Sequence, residues 1–206
     1  LVDRTISTVA KNLAEGALLV AFVLLLTLGN ARAALIAAAV IPLSLLVAFI
    51  GMDLLGVSGN LMSLGALDFG IIVDGAVVIL ENVLHTVAKH RERGERVDAA
   101  TVLGAVRRVA RPVAFAVGII ILVYIPILTF TGIEGKMFRP MAITVILALT
   151  GSLLLTLTLL PVFAEMLLVG AKDGDTWLMR VVDRLYQPSL AAAMRLRPLP
   201  AVVAVL

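Results

Sequence analysis

The sequence contains no cysteine, few aromatic residues and little charge, and each shortage argues against a class of protein. Without cysteine, the chain can have no disulfide framework, no thiolate metal site and no thiol redox motif. Aromatic residues make up 5% of the chain and charged residues 15%, whereas soluble domains carry about a quarter charged residues. This composition argues against a soluble enzyme, a nucleic-acid-binding domain and a disordered protein.

What the sequence does contain is aliphatic. Hydrophobic residues account for 61% of the chain, and the mean hydropathy is +1.10. Leu, Val, Ile and Ala supply most of it, which is typical of helices that pack in lipid. The long apolar runs lack the alternation of a membrane β-barrel. We therefore predict an all-α membrane protein, a polytopic helical bundle with about five transmembrane helices and short interfacial helices.

Five stretches are long and apolar enough to span a bilayer, which takes about 20 residues in a helix. They lie near residues 12–29, 32–55, 61–85, 112–131 and 138–168.

The segments outside these stretches suggest surface helices and a longer polypeptide. Residues 97–109 are apolar on one helical face and predict either an interfacial helix or a solvated connector, and residues 177–196 predict a second interfacial helix. The chain begins without Met and ends in a short apolar run, 199–206. We expect 199–206 to start a further helix, and residues 1–206 to be a single transmembrane region of a longer chain.

The distribution of positive charge predicts the orientation in the membrane. Thirteen of the 17 Lys and Arg residues lie in one set of alternate loops and in the carboxyl-terminal tail, and seven of these are in residues 86–111. Loops that face the cytoplasm carry the excess of Lys and Arg. We therefore expect residues 86–111 inside the cell, and the amino end and the loops near 51–60 and 131–140 outside.

One of the five apolar stretches carries carboxylates, which a lipid environment does not favour. The third contains three carboxylates, Asp68, Asp74 and Glu81. Each costs several kcal/mol near the bilayer centre unless it is paired, solvated or neutralised. A single acid could be a packing group bonded to a neighbour, but three on one helix favour a functional site.

Helix geometry predicts how these acids are arranged. At about 100° per residue, Asp74 and Glu81 lie about 10 Å apart on nearly one face, and Asp68 is rotated by about 120° from Asp74 and lies about 9 Å from it along the axis. Asp74 falls near the middle of the stretch, with Glu81 toward the cytoplasm and Asp68 toward the outside. Such a ladder of acids suits stepwise proton transfer through trapped water.

Small residues on the same stretch predict that other helices pack closely around it. They are Gly65, Ala66, Gly70, Gly75 and Ala76.

Weaker candidates have simpler explanations. His85 and His90 could bind metal but lie among Lys and Arg, so we predict solvated histidines. Met137 and Met141 could bind a soft cation, but packing is the simpler explanation for methionines in a membrane helix. An intramembrane aspartyl protease would need two facing aspartates, usually from two helices. Here the acids share one predicted helix at different depths, which argues against that enzyme.

The stretch Ser63 to Asn82, SLGALDFGIIVDGAVVILEN, resembles the fourth transmembrane helix of the resistance–nodulation–division (RND) efflux pumps. Within that family it is similar to the heavy-metal branch of the cobalt–zinc–cadmium type. Other segments agree with the family in order, including residues 29–32, 60–64, 134–137 and 177–180. The resemblance covers essentially the whole chain.

The resemblance implies a homotrimeric, multi-pass pump of the inner membrane that uses no cofactor and binds no nucleic acid. Protons that flow inward would drive divalent zinc, cobalt or cadmium ions outward, together with a periplasmic adaptor (membrane fusion) protein and an outer-membrane channel protein. Asp68, Asp74 and Glu81 match the family's proton-relay positions. The basic relay partner and the metal ligands would lie on other parts of the pump, so no metal ligand is assigned here.

Departures from sister branches favour a divalent cation as the substrate. Drug exporters of the family typically carry adjacent aspartates in this helix, whereas here Gly75 follows Asp74. Copper and silver pumps typically lack an acid at the position of Asp68. The alternatives are an RND exporter of organic compounds, a superfamily motor that moves protein or lipid, and a non-catalytic membrane assembly subunit.

The charge distribution makes the orientation testable. Single cysteines placed at Ser58 and at Glu92 in a cysteine-free background should react with an impermeant thiol reagent from opposite sides of the membrane. Labelling of both positions from the same side would contradict the predicted orientation.

Overall fold

The computed structural model describes residues 2–57 and 68–168, with the backbone alone for residues 2–10, 12, 13 and 168. All of them belong to the first of the two units into which the chain divides, Leu1–Asp173 and Gly174–Leu206. The interfacial helix expected at 177–196 and the further helix expected at 199–206 lie outside the described residues.

Five α-helices make up the described part of the chain, which contains no strand. They are α1 (Val2–Leu28), α2 (Ala31–Leu54), α3 (Phe69–Glu92), α4 (Ala99–Tyr124) and α5 (Gly132–Leu168), and a 3₁₀ turn (Ile125–Thr129) follows α4. This confirms the predicted all-α bundle.

Four of these helices have the length and hydropathy to cross a membrane. They are α2, α3, α5 and α4 with its 3₁₀ turn. Helix α1 runs over 27 residues, and Ala14–Leu28 is the apolar part of it whose side chains the structure describes. The span expected near residues 12–29 falls on this helix and stays a prediction.

The largest departure from expectation is at α4. The sequence suggested a surface helix or connector at residues 97–109 and a separate membrane span from Pro112, but one helix runs through both. Val102, Val106, Val113 and Val117 are buried along it, so one apolar face continues past the proline. Pro112 removes one backbone hydrogen bond, which packing of this face can offset.

Asp98 begins α4 as its N-cap. Its carboxylate accepts hydrogen bonds of 2.8 Å from both the backbone N–H and the hydroxyl of Thr101. These two bonds, with the backbone bond first, hold the pKa of the Asp98 carboxyl below its usual value. At neutral pH the cap is therefore charged, which suits the positive end of the helix dipole.

Pro126 ends α4 at its other end, inside the stretch that was expected to be helical as far as residue 131. A proline has no N–H to continue the hydrogen-bond ladder, while Ile125 before it keeps helical backbone angles (φ −59°, ψ −45°). The N–H of Ile125 bonds to the carbonyl of Leu122, so the chain tightens into the 3₁₀ turn Ile125–Thr129.

The interface between α2 and α5 depends on small residues. A Cβ added to Gly51 would come within 2.9 Å of the Leu147 side chain, and one added to Gly151 within 2.8 Å of Val47. Thr144 adds a hydrogen bond of 3.2 Å from its hydroxyl to the sulfur of Met52. Close approach of this kind maximises van der Waals contact, which is what holds helices together in lipid.

Helix α3 is the centre of the described bundle, since it contacts each of the other four helices. Its buried side chains recur at helical spacing, and all but one are aliphatic: Ile72, Val73, Ala76, Ile79, Leu80, Val83, Thr86 and Val87. By contrast, α4 leaves most of its span exposed, and Phe115 is 73% exposed. Helix α4 therefore packs through one narrow face.

The α2–α5 contact predicts unequal effects for two glycines. Gly151→Ala should destabilise the bundle by about 1–3 kcal/mol, the usual cost of overpacking. The added methyl would also meet the Cβ of Val47 at 2.9 Å, which side-chain rotation cannot move away. Gly118→Ala is the matched control, since nothing lies within 4 Å of its added Cβ. Thermal unfolding in detergent should show a lower midpoint for Gly151→Ala alone, and equal midpoints would contradict this packing.

Candidate functional site

Two of the three predicted acids lie on the side of α3 that faces away from the described bundle. Asp74 and Glu81 are exposed, as are Val78 and His85. Helix geometry places these four residues within a sector of about 60°. We call Asp74, Val78, Glu81 and His85 the acidic stripe.

No hydrogen bond or ion pair joins Asp74 or Glu81 to another residue within 2–57 or 68–168. Such groups inside a membrane nearly always face protein or a water-filled cavity, since exposure to lipid costs several kcal/mol for each charge. The acidic stripe is therefore a surface that must be covered by protein or water when α3 spans a bilayer.

Asp68 has a different structural position from the one expected. It is the N-cap of α3, with an extended backbone (φ −92°, ψ 113°), and its Oδ1 accepts a hydrogen bond of 2.8 Å from the N–H of Gly70. The expectation that Asp68 lies within the helix is therefore wrong, and helix geometry does not set its rotation relative to Asp74. Residues 61–67, expected to begin this helix, lie outside the described residues.

A small cavity lies beside Asp68. Its volume is about 10 Å³, which is close to the minimum for one water molecule. Its lining comes from α3, α4 and α5, and the residues are Asp68, Ile71, Ile72, Ile120, Tyr124, Val145, Ala148 and Leu149. Only the Asp68 carboxylate and the Tyr124 hydroxyl are polar side-chain groups in this set, so a water here would have few partners.

Two hydrogen bonds anchor α3 next to the acids. The hydroxyl of Ser152 on α5 donates to the carbonyl of Ile72, two residues before Asp74. The side-chain amide of Asn82, next to Glu81, donates to the carbonyl of Ala105 on α4 at 2.6 Å. These partners hold the helix at both levels of the stripe, and sequence reasoning did not single out either one. Asn82 lay within the quoted motif, whereas Ser152 had no distinguishing signal in an apolar helix.

Close packing holds α4 against α3 beside Asp74. A Cβ added to Gly75 would lie 2.9 Å from Cγ1 of Val113, and Ala76 is fully buried. The prediction that small residues admit a neighbouring helix is confirmed at these two positions. Gly70 serves the cap instead, since its added Cβ would meet only Asp68, and Gly65 and Ala66 lie outside the described residues.

The two histidines differ in their surroundings. His90 is half-buried, and its ring nitrogens contact the carbonyl of Thr86 at 2.9 Å and the carboxylate of Glu95 at 3.5 Å. The expectation that both histidines are simply solvated is therefore wrong for His90, whereas His85 is exposed. Across the described ranges, no three His, Asp or Glu side chains converge to hold a metal ion.

Comparison with known proteins places these features in a family. Residues 1–206 match the sequence model of the AcrB/AcrD/AcrF family. The chain is 48% identical over 203 residues to the cobalt-zinc-cadmium resistance protein CzcA of Cupriavidus metallidurans, an alignment covering 94% of this chain and 19% of CzcA. It is 47% identical over 206 residues to the nickel-cobalt-cadmium resistance protein NccA of Alcaligenes xylosoxydans xylosoxydans, covering 97% of this chain and 19% of NccA.

A solved structure agrees with these sequence matches. The crystal structure of a heavy metal efflux pump superimposes with a TM-score of 0.69 at 42% identity, covering 99% of this chain and 19% of that one.

A central helix with an acidic stripe, held in a bundle whose helices are long and apolar enough to cross a membrane, is the pattern expected of a transporter. The chain belongs to the AcrB/AcrD/AcrF family and, within it, to the heavy-metal branch of the RND efflux pumps. This confirms the resemblance read from the acidic helix. The chain spans about 19% of the length of these relatives.

Proposed function

We propose that this chain is part of the transmembrane region of a pump that exports divalent heavy-metal ions in exchange for protons. The observation that carries the proposal is the acidic stripe, which places Asp74 and Glu81 on one uncovered face of the central helix. Structural carboxylates would be expected to bond to the helices that pack around α3. These two instead point to where the rest of a larger pump, or water, must lie.

The names of the relatives support the substrate class. CzcA is a cobalt-zinc-cadmium resistance protein and NccA a nickel-cobalt-cadmium resistance protein, and both are more similar to this chain than the 34% identical cation efflux protein CusA of Escherichia coli K12. We infer zinc, cobalt or cadmium as the cargo of the whole pump. The described residues contain no cluster that could bind the cargo, so recognition of the metal is assigned to other parts of the protein.

Asp74 is the central proton carrier in this proposal. A charged carboxylate at this depth requires a polar or cationic partner, whereas a protonated one tolerates apolar neighbours. Loading and releasing a proton therefore changes which neighbour the stripe prefers. Because the buried face of α3 is bonded to α4 and α5, that preference can move the covering element relative to this bundle.

Glu81 and Asp68 serve as the cytoplasmic-side and outer-side steps. Glu81 lies two turns, about 10 Å, from Asp74 on nearly the same face, so protein or water on one side can serve both. Asp68 combines the outer step with capping of α3. Its Oδ1 accepts a hydrogen bond from the N–H of Gly70, and the other carboxylate oxygen remains for a proton.

The assembly proposed for the pump follows the family. It is a homotrimer in the inner membrane, with several spans in each protomer, that works with a periplasmic adaptor protein and an outer-membrane channel protein. The bilayer-facing surface of the chain supports a membrane location, since large apolar side chains such as Leu18, Leu35 and Phe115 are highly exposed.

The substrate is tested by metal tolerance. Cells that carry the full-length pump should grow at higher concentrations of zinc, cobalt or cadmium than cells without it. Protection against organic antibiotics with none against these metals would contradict the proposal.

The role of Asp74 is tested by transport in proteoliposomes with an imposed pH gradient. Asp74→Asn keeps the size and hydrogen-bonding capacity of the side chain but cannot release a proton. Asp74→Asn should abolish proton-driven metal export while the trimer remains assembled. Glu81→Gln should reduce export less, because Glu81 lies nearer to water, which can partly replace it.

Asp68 offers an internal control, because Asn can cap a helix and Ala cannot. If Asp68 is a proton step, Asp68→Asn should lower transport while the helix stays capped, and Asp68→Ala should add a loss of stability.

Full pH-driven transport by Asp74→Asn would show that the acid is structural and that protons cross elsewhere.

A further inference from the structure

We propose that His85 is the inner end of the proton path, where a proton passes between Glu81 and the water on the cytoplasmic side. The inference rests on the proposed function and adds a residue to it. Its grounds are the position of His85 on the acidic stripe and the absence of any competing bond among the described residues.

The register of α3 places His85 in line with the two acids. It follows Glu81 by four residues, so the two Cβ atoms are about 6 Å apart on adjacent turns. Its direction around the helix is about 20° from that of Asp74 and about 40° from that of Glu81. Asp74, Glu81 and His85 are thus successive positions along one side of the helix.

Depth supports the same assignment. His85 lies about 16 Å along the axis from Asp74, and half the thickness of a bilayer core is about 15 Å. The sequence predicts Asp74 near the middle of the stretch 61–85, and on that placement His85 lies at the inner edge of the core, whereas Glu81, about 10 Å from Asp74, is still inside it. Helix α3 continues to Glu92 through Lys89, His90 and Arg91, which belong to the aqueous side.

The side chain of His85 is available for this role. It is exposed, and within the described ranges no hydrogen bond engages its ring. His90 is the opposite case, since it lies about 180° around the helix from Glu81 and its ring contacts Thr86 and Glu95. The chain contains two histidines, so one lies on the stripe and the other is fixed away from it.

Imidazole suits a step between a membrane-embedded acid and water, because it exchanges protons near neutral pH and has two nitrogens. The carboxyl O–H of protonated Glu81 breaks as an N–H forms on one ring nitrogen, directly or through one water. The other ring nitrogen then releases its proton to cytoplasmic water, which leaves a neutral ring and the Glu81 carboxylate.

The test compares His85→Gln with His90→Gln in the full-length pump, reconstituted in proteoliposomes with a pH gradient and zinc as the cargo. His85→Gln should slow proton-driven zinc export by about tenfold, less than the 10²–10⁴ typical of a positioned acid–base group because water can partly replace it. His90→Gln should export zinc at the unmodified rate. Zinc exchange without a pH gradient should be equal in both variants, since that exchange needs no net proton transfer.

A third variant separates proton transfer from packing. His85→Glu restores a titratable group at the same place and should recover part of the export that His85→Gln loses, whereas a purely structural histidine would not be replaced by a carboxylate. Unchanged export by His85→Gln, or equal losses in both histidine variants, would overturn the role of His85. If Asp74→Asn still abolishes export in that case, the proposed function stands and only the inner step is wrong.

Discussion

The cost of exposing carboxylates to lipid is the constraint on which the proposed function of this structure depends. Each charge exposed to lipid deep in a bilayer costs several kcal/mol, so Asp74 and Glu81 need protein or water beside them when α3 spans a membrane. The described helices cover one side of α3 and leave its acidic side open. Helix α3 contacts all four other helices, and aliphatic residues such as Ile72, Ile79 and Val83 fill its buried face, while the acids remain on the opposite side.

The same constraint explains why polar hydrogen bonds flank the stripe. The Ser152 hydroxyl and the Asn82 amide bind carbonyl groups across helix interfaces, and Gly75 brings Val113 close. These contacts oppose rotation of α3, which would turn the acids toward lipid or into an aliphatic core. In the proposed pump, a change in the charge of Asp74 would therefore act on whatever covers the stripe rather than on α3 itself.

The two ends of α3 complete this arrangement. At the amino-terminal end, Asp68 caps the helix and adjoins a cavity about the size of one water molecule. Toward the carboxyl-terminal end, His85 continues the line of the acids toward the cationic last turn. Proton exchange along one side of a single helix would therefore need no rearrangement of its buried face. In the proposed pump, this bundle would stay intact while the element that covers the stripe moves.

Much of this was readable from the sequence, because membrane helices follow from hydropathy and length, which are properties of the chain alone. The long apolar runs predicted the all-α bundle. Asp74, Gly75 and Glu81 in the third stretch indicated the unusual acidic helix and the family resemblance. The cap that Asp68 makes with the N–H of Gly70 is a local contact that the sequence analysis missed. Tertiary structure alone decided that one helix passes through Pro112 and that Ser152 and Asn82 hold α3. These features depend on which side chains meet across helix interfaces, and contacts between residues such as Ile72 and Ser152, eighty positions apart, leave no periodic signal in the chain.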